Sequence, residues 1–141
     1  MTAETAKPLP DLERVFRNFQ LLDSWEERYK YIIDLGKELP PMADADKVDD
    51  NIIRGCQSQV WIKPILHDGR WHFAVDSDAF IVKGLLAVVL AAYNNREARG
   101  ILEFDIENYF NQLGLLKHLS PTRGSGMKAM VARIQEIARN S

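Results

Sequence analysis

The chain of 141 residues holds a single cysteine, Cys56, and only three histidines. No disulfide can close within it, and no cysteine-rich metal site can form. It also lacks an excess of charge of either sign: 18 basic residues against 20 acidic ones leave a net charge of −2. That removes bulk electrostatic attraction as a reason to bind nucleic acid and leaves only a local basic patch. Long apolar runs are missing too. The longest, Ala79 to Tyr93, is interrupted by Lys83 and falls short of the roughly 20 residues that span a bilayer. Residues 1–10 carry Glu4 and Lys7 and no apolar stretch, so they read as a loose tail and not as a signal peptide. The expectation is a cytoplasmic protein without nucleic-acid or membrane partners, in which a lone thiol stays reduced.

What is present suits one soluble domain over residues 11–141. The composition is 46% hydrophobic, 27% charged and 9% aromatic, ordinary for a globular fold. A chain of this length buries roughly 68–70% of its unfolded surface and needs no metal or disulfide to hold its core. Asp11 is placed to cap a helix carrying Leu12, Val15, Phe16 and Phe19. Ser24-Trp25-Glu26-Glu27 matches a capping box, and Trp25, Tyr29, Ile32 and Ile33 follow at helical spacing until Pro40-Pro41. After an aspartate-rich loop (Asp44, Asp46, Asp49, Asp50), Gln59–Leu66 is rich in β-formers, and Asp68-Gly69 suits a tight hairpin. Trp71, Phe73 and Val75 alternate with more polar positions as a returning strand. Ile52–Arg54 is a candidate third strand, and Pro64 argues for an edge or a bulge.

Phe80–Leu90 is apolar nearly all round, the pattern of a buried central helix. Lys83 inside it is expected to snorkel to the surface. Short helices are expected over Arg96–Leu102 and Ile106–Leu113, the second closed by Gly114. Ser120 caps a last helix with Pro121 in its first turn. The order of elements gives an α+β fold, with a small antiparallel sheet of two to three strands packed with helices.

Cys56 lies in Arg54-Gly55-Cys56-Gln57-Ser58-Gln59, a loop just ahead of the hairpin. Gly55 permits a sharp turn. A free thiol with a pKa of ~8.5 is only a few per cent ionised at pH 7. Arg54 favours ionisation, the upstream aspartates oppose it, and no histidine lies within ten residues. These residues leave several readings open. Cys56 is a small packed hydrophobe in an adaptor domain, a quiet thiol that reacts when a partner docks, a hydrolase nucleophile paired in space with His72 or His118, or one ligand of a zinc site with an aspartate and a histidine.

Three stretches together resemble the SufE family, the sulfur-accepting partners of cysteine desulfurases. They are Gly55-Cys56-Gln57-Ser58-Gln59-Val60-Trp61, then Asp76-Ser77-Asp78 running into Ile81–Val88, then His118-Leu119-Ser120-Pro121-Thr122-Arg123-Gly124-Ser125-Gly126. The front helices with Trp25-Glu26 and Tyr29–Leu39 are similar as well, so the likeness covers about residues 10–140. It implies a fold similar to iron–sulfur scaffold proteins without their further cysteine ligands. It also implies a partner, a pyridoxal-phosphate cysteine desulfurase, whose persulfide sulfur Cys56 would accept. The protein would stimulate that desulfurase and pass sulfur toward an iron–sulfur scaffold complex, with no cofactor of its own. Gly55–Gln59 looks closer to the SufE type than to the CsdE type, which implies a SufS-type desulfurase ahead of a CsdA-type one.

Beyond the thiol, Asp78 is a candidate helix cap and, by the resemblance, a residue that holds the cysteine loop. Arg123 stands in a first helical turn, where the dipole disfavours a cation, and Gly124 and Gly126, which follow it, weaken the helix. That costly start makes Arg123 a candidate contact for the partner or the thiolate, against the alternative of a solvated surface arginine. Gly55 and Gln57 complete the candidate set for positioning the loop or meeting the partner.

Overall fold

The computed structural model describes residues 11–141; the tail expected at 1–10 lies outside them. Among the described residues the chain forms six α-helices and one hairpin. They are α1 Leu12–Leu21, α2 Trp25–Lys37, α3 Phe80–Tyr93, α4 Ala98–Glu103, α5 Ile106–Leu113 and α6 Pro121–Arg139, with strands β1 Val60–His67 and β2 Arg70–Ser77. The expected α+β architecture is present. The sheet has two strands: Ile52, in the candidate third strand, makes only a single bridge to Trp61. The fourth helix spans Ala98–Glu103, two residues later at its start than the apolar pattern suggests.

Local chemistry sets the helix ends. The Asp11 carboxylate accepts the Arg14 N–H, the Ser24 hydroxyl accepts the Glu27 N–H, and the Ser120 hydroxyl accepts the Arg123 N–H. Gly114 closes α5 in the left-handed region at φ +66°. Asp68 and Gly69 both have positive φ, +52° and +77°, as a two-residue type I′ turn requires.

The hairpin pairs in continuous register from Val60↔Ser77 to His67↔Arg70 without a bulge. Pro64 faces Phe73, and the N–H of Phe73 turns outward to the Asn94 side-chain oxygen at 3.1 Å. That register puts Pro64 at a pair that exchanges no ladder bond, so its missing N–H costs nothing there. The outer edge of β2 is covered by residues 94–96: Trp71 donates to the Arg96 carbonyl and Asn95 to the Trp71 carbonyl, each at 2.8 Å.

Helix α3 is the centre of the core. Its residues Leu85–Leu90 are all 1% exposed or less. α2 reaches it through glycine. A Cβ on Gly84 would stand 2.2 Å from the Ile32 carbonyl oxygen, and one on Gly36 would stand 2.7 Å from the Gly84 nitrogen. The two backbones therefore touch directly. Lys83 does not reach freely into solvent as expected. Its Nζ lies 3.5 Å from Asp76, which also holds Lys47 at 3.0 Å. The cation stays beside the helix because a carboxylate at the end of β2 meets it there.

Gly84→Ala is expected to lower unfolding stability by about 3 kcal/mol, because backbone and not a flexible side chain must give way. Gly100→Ala is the contrast: the nearest atom to its Cβ is 3.9 Å away, and removing a helical glycine should leave stability unchanged or raise it by up to about 1 kcal/mol. Urea midpoints of the two variants check the pair.

Candidate functional site

The chain leaves the aspartate-rich loop, runs beside β1 and returns to it. Ile53 donates to the Val60 carbonyl at 2.8 Å, closing a loop whose tip holds Gly55, Cys56 and Gln57. Gly55 has φ +93°, a conformation that favours glycine. It also lies against α6, where a Cβ would meet the Ala129 Cβ at 3.5 Å.

The returning arm is tied to the end of the hairpin. The Asp78 carboxylate accepts the Gln59 N–H at 3.0 Å, and the Asp78 N–H donates to the Gln59 carbonyl at 3.3 Å. This corrects the reading of Asp78 as a helix cap. The N-cap of α3 is Ala79, with no side-chain cap bond, and its N–H is met by the Ser77 hydroxyl at 3.3 Å. An aspartate just before an apolar helix has two uses for its carboxylate, and here the loop has it.

Upstream, Lys47 anchors the aspartate-rich segment. Its Nζ reaches Asp76 and sits 5.7 Å from the Trp61 ring centre. Burial alone would raise the Asp76 pKa. Hydrogen bonds from Lys47 and the Ser77 N–H, with the charges of Lys83 and Lys47, outweigh it and leave the carboxyl below its ordinary value.

Cys56 is half-buried. Its Sγ lies 3.6 Å from the Gly126 carbonyl oxygen of α6, a weak S–H contact that a carbonyl offers to the protonated thiol. A Cβ on Gly126 would touch the same sulfur at 3.6 Å. The thiol opens on a cleft of about 200 Å³. Val82 and Leu85 of α3 and Met130 of α6 form its apolar wall; Gln57, Ser58, Ser120, Thr122 and Arg123 supply the polar side. Arg123 is exposed at this rim, and its side chain makes no ion pair among the described residues.

The structure thus brings Cys56, Gln57 and Arg123 to one cleft, with Gly55 at the loop tip and Asp78 tying the outgoing arm at Gln59. The three histidines lie elsewhere. His118 stacks on Trp25 with ring centres 3.9 Å apart, and its Nδ1 is 3.0 Å from the Gly114 carbonyl; His67 and His72 neighbour each other at the hairpin end. No histidine lines the cleft. No group of three or more His, Cys, Asp or Glu side chains is placed to hold a metal ion among the described residues. Sequence reasoning missed the apolar wall and Arg133 of α6. Arg133 donates to the carbonyls of Asp50 and Ile52 at 2.8 and 3.4 Å, contacts with no local signature.

Burial pushes the Cys56 thiol above its ordinary pKa, so the resting protein favours the neutral form. That preference adds stability in full below the unfolded thiol's pKa, and the contribution is lost as pH rises through the folded value. Alkylation of Cys56 by iodoacetamide should therefore show its inflection above the ~8.5 of a free thiol. In urea the inflection should drop to that ordinary value. A folded inflection at or below ~8.5 would contradict a thiol silenced by burial.

The chain matches the family described as "SufE: Fe-S metabolism associated domain" over residues 13–138. Its fold is also similar to a solution structure of a hypothetical protein from Thermus thermophilus. That likeness has a TM-score of 0.75 and 19% identity, covering 95% of this chain and 97% of the other. At that identity the likeness concerns the fold alone. Among the described residues, no helix is long and apolar enough to cross a membrane. With the family match spanning nearly all of the described residues, the chain belongs to the SufE family, whose domain serves sulfur transfer in Fe-S metabolism.

Proposed function

We propose that Cys56 accepts sulfur from the persulfide of a pyridoxal-phosphate cysteine desulfurase of the SufS type, and that the protein thereby stimulates that enzyme and carries sulfur toward an iron–sulfur scaffold. Residues 11–141 act in this as one domain. The observation that carries the reading is the setting of the only cysteine: at the tip of a tied loop, at the mouth of a small cleft, with Arg123 on the rim.

The chemistry asks little else of the protein. The Cys56 thiolate attacks the outer sulfur of the donor's Cys–S–SH group. The donor's S–S bond breaks as the new one forms, and the donor's thiolate leaves with the electron pair of the broken bond. One S–S bond replaces another, and no external oxidant or reductant is consumed. No histidine base is required, in keeping with a cleft that none of the histidines lines. A second thiol nearby would resolve the persulfide and release the sulfur. The sequence has none.

Burial raises the Cys56 pKa, so on this reading the partner draws the loop out of its cleft or supplies an environment that favours the thiolate. Asp78 holds one arm of that loop and is assigned to positioning, with Gly55 shaping the turn and Gln57 at the mouth. Arg123 is assigned to the incoming partner or to the anionic sulfur. A guanidinium at the first turn of α6 works against the helix dipole, and an anion brought into the cleft would relieve that cost.

With a SufS-type desulfurase and L-cysteine, the intact mass of the protein should rise by one sulfur atom and return to its starting value under reductant. Cys56→Ser should fold and show neither the gain nor the stimulation. A gain that survives in Cys56→Ser would end this reading; an unmodified thiol with unchanged desulfurase turnover would favour an adaptor with an inert cysteine. Arg123→Met should reduce the rate of sulfur acceptance at least about tenfold, the scale of a lost charge-assisted hydrogen bond. Alkylation of its Cys56 by iodoacetamide, which involves no partner, should stay within about twofold of the native rate. Equal sulfur acceptance by Arg123→Met would remove the arginine from the site.

A further inference from the structure

Helix α6 carries more than the cleft rim. The segment from Asp50 to Cys56 runs antiparallel along one of its faces. At the far end the Arg133 guanidinium donates to the Asp50 carbonyl at 2.8 Å and to the Ile52 carbonyl at 3.4 Å. One turn nearer the helix start, Ala129 faces Gly55; nearly one turn nearer still, Gly126 faces the Cys56 sulfur. Seven residues separate Gly126 from Arg133, two helical turns and about 10 Å along the axis, so the two lie on one face. On that face Ala129 is the side chain that meets the loop, and among the described residues the loop tip meets the helix through the Gly55–Ala129 approach and the weak Cys56–Gly126 contact.

We infer that Arg133 is a positioning residue for Cys56: by gripping two successive parts of the loop's incoming arm it fixes the angle at which the loop lies along α6, and so keeps the sulfur seated at Gly126. The two arms are then held by different means. Asp78 holds the outgoing arm through one backbone pair with Gln59. Arg133 holds the incoming arm through carbonyls that no other side chain takes among the described residues, in addition to the backbone bond from Ile53 to Val60 that joins the two arms. A loop tied at both arms and loosely held at its tip turns about those ties, and weakening one tie raises the fraction of time the thiol is out of its cleft. Arg133 touches neither the sulfur nor the cleft wall, so its effect passes through the backbone of the arm. The relevance to sulfur transfer rests on the function proposed above; the positioning itself does not.

The test is the rate of Cys56 alkylation by iodoacetamide on the full chain, with no desulfurase present. Arg133→Met keeps the aliphatic stem and loses both donors, and should be alkylated roughly tenfold faster than the native protein, the fold-change of a lost hydrogen bond to a charged group. Arg133→Lys keeps the charge but cannot fork to two carbonyls, and should fall between them. The Arg99→Met control loses an exposed helix pair with Glu103 and should match the native rate. Thermal midpoints of the folded variants separate loop release from general loosening. Should Arg133→Met fail to fold, Arg133→Lys carries the comparison. A native rate in the variants that fold, or the same acceleration in Arg99→Met, overturns the inference. Faster alkylation without any sulfur gain from a desulfurase would sustain the positioning role and count against the proposed function instead.

Discussion

A helix that is apolar on every side has to be enclosed, and α3 is such a helix. It can be enclosed from the α2 side only because Gly36 and Gly84 let two backbones meet where Cβ atoms would overlap. The hairpin and α6 close other sides. The Cys56 cleft is a product of that closure: Val82 and Leu85 belong to α3 and Met130 and Gly126 to α6. The thiol sits at the edge of the seam between the central helix and the last one. Its environment is thus decided by core packing, and so is its protonation.

That origin explains why charge has little say over Cys56. Arg54 and four aspartates stand close in sequence, yet burial is the cause of the raised pKa. Arg54 is exposed, as are Asp44, Asp49 and Asp50, and water screens such charges over short distances. Asp46 is engaged with Lys63 at 2.9 Å. The acidic segment acts as structure instead: Lys47 and Lys63 fasten it to the hairpin, and Arg133 fastens its last part to α6.

Much of the fold was legible because it is local. Asp11, Ser24 and Ser120 cap helices through bonds to residues three positions on, and Asp68-Gly69 turns the chain within two residues. Such contacts need only the neighbouring sequence. What was misread depends on distant partners. Asp78 carries two readings, a helix cap and a tie for the loop, and Gln59, nineteen residues away, decides for the tie. Lys83 reads as a snorkelling cation until Asp76 is folded against it. Arg133 was illegible because it binds main-chain carbonyls 83 and 81 residues away, and a carbonyl leaves no mark in a sequence. The cysteine loop itself was found through three ordered motifs, whereas its degree of burial belongs to the packed α3–α6 seam, and no motif carries that.

The same seam bears on which way sulfur would move. Exchange between a persulfide and a thiol breaks one S–S bond and makes another, so bond energies nearly cancel and surroundings decide the balance. At rest the Cys56 sulfur faces a carbonyl oxygen and apolar side chains, which suits a neutral thiol. On the proposed reading, a second sulfur bonded to it moves the charge about 2 Å outward, one S–S bond length. The polar side of the cleft carries hydroxyls, the first turn of α6 and Arg123, groups that favour an anion. On that reading, a cleft that disfavours the thiolate and offers its polar side to a charge one atom further out would favour the loaded state over the reactive empty one. Core packing would supply the first half of that selectivity, and the start of α6 the second.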